Sequence, residues 1–285
     1  MSHRDRESDA SPSTQDGSPA GGTQREVNAY FDSSAGYWDR VYRGDSLQAV
    51  IYQQRQAAVL DYVQASELPA DSRVLEVGCG AGHLAMELAE RGLRVAGVDA
   101  SPAMVEATAR HAQERGLAER VTVAVADAHA LPFEPGDFEL VVAVGLIPWL
   151  HAPETAVAEM ARVLRSGGKL VLTADNRARL VNFTDPRLMP GLATRRPAQL
   201  AARRRRRPVS RLEFPGSVDR LVVHSGLRPI AARTVGFGPL TFLGHPLFDD
   251  GRGIRLNRRL QALADRGVPG LKWTGWHYVI HAGKP

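Results

Sequence analysis

The stretch RVLEVGCGAGHL, residues 73–84, decides how the rest of the chain is interpreted. It opens with RVLEV, a short apolar run with β-branched side chains that is typical of a buried strand. Three glycines follow at alternate positions, and the segment HLAMELAERG that comes next is helical in character. Glycine permits a tight turn and lets another molecule approach bare backbone. The pattern therefore predicts a strand, a ligand-accessible loop and a helix.

The same alternation continues along the chain. The segments between the apolar runs have the length of helices, and we expect the helices to end at Gly92, Gly116 and Gly167, where glycine suits a left-handed cap. Continuous apolar strands separated by helices indicate a parallel sheet covered on both faces, which is a doubly wound α/β fold. The further predicted strands are RVAGVD (94–99), VTVAVA (121–126), FELVVAV (138–144), KLVLTA (169–174), RPIAARTV (228–235) and WHYVIHA (276–282).

Acidic residues end the second and third predicted strands. Asp99 closes RVAGVD, where a carboxylate can accept both hydroxyls of a ribose. Asp127 follows VTVAVA, where a carboxylate can meet the edge of an adenine ring. The glycine loop by itself is a weak signal, because dinucleotide-binding enzymes use a related loop. The two acids together with the loop favour an adenosine ligand.

Residues 73–174 resemble the class I S-adenosylmethionine-dependent methyltransferases. The resemblance rests on VLEVGCGAGHLA, VAGVDASPAMVEATA, VADAHALPFEPGDFELVVA and HAPETAVAEMARVLRSGGKLVLT, in the family's order and spacing. It implies a Rossmann-like, doubly wound, seven-stranded sheet, mostly parallel with an antiparallel last strand. It also implies S-adenosyl-L-methionine as cofactor. The residues expected to bind that cofactor are Glu76, Gly78, Cys79, Gly80, Gly82, Asp99, Ala100, Met104, Asp127, Ala128, Val144, Gly145 and Leu146.

The segment before the core points to the small-molecule branch of that superfamily. YFDSSAGYWDRVY (30–42) resembles the N-terminal helices of quinone-biosynthesis and Mg-protoporphyrin-type methyltransferases, which close over the cofactor. After the fourth strand the chain has VGLIPWLH (144–151) instead of the Asn/Asp-Pro-Pro-Tyr of enzymes that methylate amino groups of DNA bases or glutamine. A nucleic-acid partner is therefore not expected. The candidates for a cover over the cofactor or substrate are Tyr30, Phe31, Tyr37, Trp38 and Tyr42; core packing is the alternative for each.

The composition divides the chain into regions. Residues 1–25 are rich in Ser, Gly, Pro and charge and predict a disordered tail. Residues 26–285 are expected to form one methyltransferase domain, with a helical cover (26–70), a cofactor-binding core (73–175) and two insertions (176–213 and 236–272) that cap the acceptor. Eleven arginines and one acid lie between Arg177 and Arg211. Weak contact with an anionic membrane surface is a hypothesis for Arg203, Arg204, Arg205, Arg206 and Arg207; a solvated face is the alternative.

Histidines are the candidates for a general base, because imidazole titrates near neutral pH. His151 follows the fourth strand and is the candidate catalytic residue; a structural or substrate-orienting role is the alternative. His83, His129 and His245 are weaker candidates. Cys79 lies between two glycines where a small residue is needed, which favours packing over nucleophilic chemistry. No spacing suggests a metal site.

The sequence thus predicts a cytoplasmic enzyme that transfers a methyl group to a small molecule, preferably to a hydroxyl oxygen. A carbon or nitrogen acceptor stays open, as does a membrane lipid or macromolecule held by the arginine-rich insertion. A non-catalytic binding module that keeps the cofactor fold is a third alternative. The sequence leaves the acceptor and the oligomeric state undetermined.

Overall fold

The computed structural model describes residues 24–188 and 210–285. Seven of its strands join into one sheet, and two short ones form a separate hairpin. The strands are β1 Arg73–Val77, β2 Arg94–Asp99, β3 Val121–Val125, β4 Phe138–Ala143, β5 Leu164–Asp175, β6 Arg228–Val235, β7 Thr241–Phe242, β8 His245–Pro246 and β9 His277–Gly283.

The seven-stranded sheet has the order β3-β2-β1-β4-β5-β9-β6. β1 to β5 are parallel to one another, and β9 runs antiparallel between β5 and β6. The predicted seven-stranded, mostly parallel sheet with an antiparallel last strand is confirmed. The strand order reverses between β1 and β4, and ligands of doubly wound sheets bind at the carboxyl ends of the strands beside such a reversal.

Helices cover both faces of this sheet. In β1, Val74 and Leu75 are fully buried and belong to opposite core layers, since neighbouring side chains of a strand point to opposite faces. α3 and α4 pack on the layer of Val74, whereas α6 and α8 pack on the layer of Leu75. The helices are α1 Gln24–Ser33, α2 Ala35–Val41, α3 Leu47–Gln64, α4 His83–Glu90, α5 Pro102–Glu114, α6 Pro153–Val163, α7 Val181–Thr184, α8 Pro215–His224 and α9 Asp250–Asp265, with a short 3₁₀ helix at Ile147–Trp149.

One predicted helix end is wrong. Gly92 and Gly116 follow α4 and α5 with positive φ, as expected for caps. α6, however, ends at Val163, four residues before Gly167, and the chain is already extended at Leu164. Leu164 is fully buried and pairs with Phe138, so core packing draws this segment into β5 before the glycine is reached. Gly167 lies instead in the irregular first part of that strand.

The N-terminal helices and the second insertion lie near the carboxyl edge of the sheet. Asp32 of α1 accepts hydrogen bonds from Ser101 Oγ (2.9 Å) and from the Ala103 amide (3.1 Å), which joins α1 to the start of α5. In the insertions, buried Asp185 accepts from Thr241 Oγ1 (2.7 Å) and from the Gly244 amide (2.9 Å). These bonds connect the first insertion to the β7–β8 hairpin of the second.

Two predictions concern residues that the structure does not describe. Almost all of the predicted disordered tail lies outside the described ranges, and so does the arginine run 203–207. The predicted domain boundaries stay predictions. Within residues 24–188 and 210–285, none of the helices is both long enough and apolar enough to span a membrane.

Candidate functional site

A deep cavity opens at the carboxyl ends of β1, β2, β4 and β5. It encloses about 1410 Å³ when the open space at its mouth is included. Twelve of the thirteen residues predicted to bind cofactor line it: Glu76, Gly78, Cys79, Gly80, Asp99, Ala100, Met104, Asp127, Ala128, Val144, Gly145 and Leu146.

The thirteenth, Gly82, does not line the cavity. Its φ is +78°, and a β-carbon added there would lie 2.5 Å from the Thr108 side chain. Gly82 therefore allows α4 to pack closely on α5. Gly80 differs: its φ is +54°, and an added β-carbon would meet nothing within 4 Å. The open space of the loop is thus beside Gly80.

Asp99 is held by backbone amides at the end of β2. Its Oδ2 accepts from the Gly80 amide and its Oδ1 from the Ser101 amide, both at 2.9 Å. Burial raises the pKa of Asp99 above its ordinary value, and these amide hydrogen bonds partly offset the rise. The carboxylate is therefore fixed relative to the glycine loop, on the cavity wall.

Glu76 of β1 is a second buried carboxyl group on the cavity wall. Its Oε2 has no hydrogen-bond partner among the described residues. Burial first, and then the negative charge of Asp99, raise the pKa of Glu76 well above its usual value. An unpartnered buried carboxyl oxygen is costly, so this position favours a cationic donor from a ligand.

Cys79 is buried between these groups. Burial, together with the nearby Glu76 and Asp99, raises the pKa of its thiol well above the ordinary value. The nucleophilic form of cysteine is the thiolate, which this environment disfavours. Its packing beside Gly97 agrees with the predicted filler role.

His151, the predicted catalytic histidine, does not line the cavity. The neighbouring Trp149 and Leu150 do, whereas His151 is exposed and its Nδ1 lies 3.1 Å from Gln24 Oε1. Its ring lies 4.1 Å from that of His129, which donates from Nδ1 to Asp127 Oδ1 (2.6 Å). Gln24 itself lines the cavity, so His151 lies next to the cavity wall without forming part of it. A catalytic role for His151 stays a prediction. His245 does not line the cavity either, whereas His83 does.

Another part of the cavity wall holds a group of residues that the sequence did not indicate. Asp175 ends β5, His277 begins β9, and the two are cross-strand partners. Their side chains are buried and joined by a 3.1 Å contact between Oδ1 of Asp175 and Nδ1 of His277. Nε2 of His277 is buried and has no hydrogen-bond partner among the described residues.

The protonation of this pair follows from its surroundings. Burial would raise the pKa of Asp175, but the hydrogen bond to His277 and the positive charges of Arg55 and Arg179 hold it below its usual value. Burial and Arg55 lower the pKa of His277 to about 4, although Asp175 opposes this. At neutral pH the carboxyl group is therefore ionised and the imidazole neutral. Since a carboxylate only accepts, Nδ1 carries the proton and Nε2 is an acceptor.

Arg55 of α3 places a buried guanidinium on the same cavity wall as Asp175 and His277. Its Nη2 donates to the Tyr42 hydroxyl at 2.5 Å, and its Cζ lies 4.9 Å from the ring centre of Tyr52. Gly145, with φ of +70°, borders it: a β-carbon there would lie 2.9 Å from Nη1 of Arg55. A residue with a side chain at position 145 would displace the guanidinium.

Three of the five predicted cover residues line the cavity: Phe31, Trp38 and Tyr42. Tyr30 and Tyr37 do not; Tyr30 stacks on Trp149 (6.4 Å between ring centres), and Tyr37 packs edge-on against Trp38 (5.4 Å). Phe31, Trp38 and Tyr42 thus form an aromatic layer on the cavity wall, and their role as a cover over cofactor or substrate stays a prediction.

Four buried polar atoms without a hydrogen-bond partner among the described residues belong to side chains that line this one cavity. They are Nε1 of Trp38, Nε of Arg55, Oε2 of Glu76 and Nε2 of His277. Buried polar groups are nearly always satisfied in folded proteins, so such a concentration indicates a site built for ligands. The described residues contain no group of three His, Cys, Asp or Glu side chains placed to hold a metal ion.

Comparison with known proteins agrees with this geometry. Residues 75–172 match the family model described as a methyltransferase domain. The ubiquinone biosynthesis O-methyltransferase of Xanthomonas axonopodis pv. citri (strain 306) is 34% identical over 119 residues, which are 41% of this chain and 49% of that relative. The chain spans about half to two thirds of the length of several curated relatives that it matches.

Two solved structures share the fold over nearly the whole chain. Magnesium protoporphyrin IX methyltransferase from Synechocystis PCC 6803, with bound S-adenosylhomocysteine, has a TM-score of 0.61 at 15% identity, over 92% of this chain and 99% of that one. The (4+2)-cyclase SpnF has a TM-score of 0.60 at 20% identity, over 95% and 99%. At these identities the structures establish the fold alone.

Sheet order, cavity position and family match define the class: the chain contains a class I S-adenosylmethionine-dependent methyltransferase domain. S-adenosylmethionine is the cofactor of this class. The cavity fits it, because the wall that contains Gly80 also contains three acids, Glu76, Asp99 and Asp127, that suit a cationic adenosine ligand.

Sequence reasoning missed three residues of the cavity wall, Arg55, Asp175 and His277. Asp175 directly follows a predicted strand and could have been found by the rule that located Asp99. Arg55 and His277 carry no such signal, because Arg55 is an internal residue of a helix and His277 begins an antiparallel strand that is remote in sequence.

Proposed function

We propose that this chain transfers the methyl group of S-adenosylmethionine to a small-molecule acceptor, preferably to a hydroxyl oxygen. The observation that carries the proposal is the arrangement around Gly80. The loop has open space there, the Gly80 amide donates a hydrogen bond to Asp99, and Oε2 of Glu76 has no partner among the described residues. These features together suit the cofactor's ribose and amino group.

The proposed roles follow the positions in the cavity. Asp99 binds the ribose hydroxyls, and Glu76 meets the amino group of the methionine portion. Gly78, Cys79 and Gly80 pass beside that portion with backbone exposed. Ala100 and Met104 flank the adenine, whose edge is read by Asp127 and Ala128, and Val144, Gly145 and Leu146 run past the cofactor. All of these residues line the cavity.

The cofactor supplies an activated methyl group on a positively charged sulfur. The chain's part is then to orient the acceptor in line with that group and to exclude water, which can provide much of the rate acceleration. The aromatic layer of Phe31, Trp38 and Tyr42 covers the cavity and suits the second task. A cytoplasmic location accords with this role and stays a prediction.

Oxygen is the preferred acceptor for two reasons. Several relatives that match the chain are ubiquinone biosynthesis O-methyltransferases. In addition, the imidazole of His277 on the cavity wall has a nitrogen, Nε2, without a partner among the described residues, and this nitrogen can accept a hydroxyl proton. The cyclase among the similar structures marks the second candidate, a reaction other than methyl transfer on the same fold.

Titration calorimetry with S-adenosylhomocysteine, the demethylated cofactor, tests the proposal. We expect one site in the wild-type chain and at least about tenfold weaker binding in Asp99→Asn, because an amide cannot accept two ribose hydroxyls as a carboxylate does. Asp71→Asn is the matched control, since Asp71 is an exposed aspartate that pairs with Arg120 away from the cavity. Absence of binding to the wild type would refute the proposed function.

A further inference from the structure

The cavity wall around Asp175, His277 and Arg55 presents a hydrogen-bond acceptor atom and a cation. Nε2 of His277 has no hydrogen-bond partner within residues 24–188 and 210–285, and the hydrogen bond from Nδ1 to Asp175 fixes the tautomer that leaves Nε2 unprotonated. This hydrogen bond also fixes the plane of the ring, as in other histidines oriented by a buried carboxylate. A hydroxyl group that reaches Nε2 would find an acceptor whose orientation is already set.

Arg55 adds a positive charge next to this acceptor. The hydrogen bond from Nη2 is made to the hydroxyl oxygen of Tyr42, and Nε has no partner among the described residues. The guanidinium also borders Gly145, in the segment expected to pass the cofactor. A buried arginine with unused donors favours a negatively charged oxygen beside it.

We propose that His277 and Arg55 form an acceptor-activating site for a phenolic or enolic hydroxyl, with Asp175 as the positioning residue of His277. The proposal rests on the methyl-transfer function proposed above and names its acceptor class. It assigns the proton-accepting role to His277.

The proposed step balances as follows. The hydroxyl proton of the acceptor passes to Nε2 of His277 while Arg55 stabilises the oxygen as it becomes negative. The oxygen forms a bond to the methyl carbon as the carbon–sulfur bond breaks, and that electron pair stays on the sulfur. The imidazolium is held by the Asp175 carboxylate and loses its proton to water when the product leaves.

The charges around His277 explain why the hydroxyl must be acidic. Asp175 of β5 stabilises the protonated ring, whereas Arg55 of α3 and Arg179, which follows β5, oppose its protonation. Tyr52 of α3 packs on the imidazole, with 5.7 Å between the ring centres. Burial raises the pKa of Tyr52, so it stays neutral. With its pKa lowered to about 4, His277 is a weak base that suits a phenol or enol acidified by Arg55 and not an aliphatic alcohol.

4-Nitrophenol tests this site because its phenolate is coloured and its phenol is not. We expect the probe, added to the complex of the protein with S-adenosylhomocysteine, to ionise at a pH at least about one unit lower than in buffer, which is a tenfold shift. Arg55→Gln should abolish most of this shift. An unshifted ionisation in the wild-type complex would overturn the proposal.

Methyl transfer from labelled S-adenosylmethionine to the same probe tests His277 and Asp175. We expect His277→Gln to lower kcat by at least about 100-fold, as is typical for loss of a general base. Asp175→Asn should lower kcat at least about tenfold with KM little changed, because an amide can stabilise the wrong tautomer. Equal transfer by wild type and His277→Gln, or equal transfer to an aliphatic alcohol, would contradict the proposal, as would absence of transfer to the probe.

A second histidine of β9 provides the matched control. His281 is also buried, but it contacts Ser66 (3.2 Å between Oγ and Nε2) and does not line the cavity. His281→Gln should therefore leave the ionisation shift and the methyl transfer unchanged. Binding of S-adenosylhomocysteine separates the two proposals: a wild-type chain that binds it without shifting 4-nitrophenol refutes the acceptor site alone, whereas failure to bind it refutes the methyltransferase function.

Discussion

Replacing Gly80 by alanine should weaken cofactor binding by more than backbone strain alone explains. Gly80 has a φ of +54°, and its added β-carbon would meet nothing within 4 Å in the structure. The only effect on the folded chain is therefore the strain of a side chain in the left-handed region, about 1–2 kcal/mol. For a domain of this size, that corresponds to a fall in melting temperature of roughly 2–8 °C.

Gly92→Ala is the matched control for this strain. Gly92 also has a positive φ, of +87°, and its added β-carbon would likewise meet nothing within 4 Å. It follows α4 and does not line the cavity. The two variants should thus lose similar stability for the same backbone reason.

Only the Gly80 variant places its methyl group where we propose that the cofactor passes. We expect Gly80→Ala to bind S-adenosylhomocysteine at least about tenfold more weakly than wild type, a loss of about 1.4 kcal/mol, whereas Gly92→Ala binds like wild type. Calorimetry measures the affinities, and thermal unfolding of the free proteins measures the strain. Equal affinities in the two variants would refute the position assigned to the cofactor.

Two further predictions concern carboxyl groups. Burial and Asp99 raise the pKa of Glu76, and a cationic amino group would favour the ionised form of this carboxyl group. Binding of S-adenosylhomocysteine should therefore release a proton and become stronger as the pH rises through the pKa of Glu76. Calorimetry in buffers of different ionisation enthalpy should detect the released proton, and the Glu76→Gln variant should not release it. Although burial opposes it, hydrogen bonds from Thr241 and Arg187 lower the pKa of Asp185 from 3.8 to about 2. The ionised carboxylate therefore stabilises the fold by roughly 2 kcal/mol above pH 4, and this contribution is lost as the pH falls through 2. Urea unfolding of wild type and Asp185→Asn should therefore differ at pH 7 and converge near pH 2; a constant difference would contradict the linkage.

Much of the cofactor end could be predicted because its signals are local. Asp99 and Asp127 each follow an apolar strand, and parallel strands bring their carboxyl ends to one edge of a sheet. Twelve of the thirteen predicted residues consequently line one cavity. Gly82 is the exception, because its sequence context resembles that of Gly80. The difference is that Thr108, on a different helix, would clash with a β-carbon at Gly82 and not with one at Gly80.

The group formed by Arg55, Asp175 and His277 could not be predicted in the same way. His277 and Asp175 are separated by 102 residues and meet through antiparallel pairing of β9 with β5. Arg55 reaches them from α3, a helix buried on more than one side, in which an arginine has no position that marks it as functional. His151, by contrast, has the sequence context of an active-site residue, but it is exposed and does not line the cavity.

The sequence by itself therefore determined the sheet, the glycine loop and the acids at the strand ends, since periodicity, glycine and strand order act within a few residues of one another. Only the tertiary structure decided which glycine leaves open space, which histidines line the cavity, and where a buried arginine places its charge. These depend on which distant elements pack together, because burial and the charges contributed by remote strands and helices set the ionisation of each group at the site.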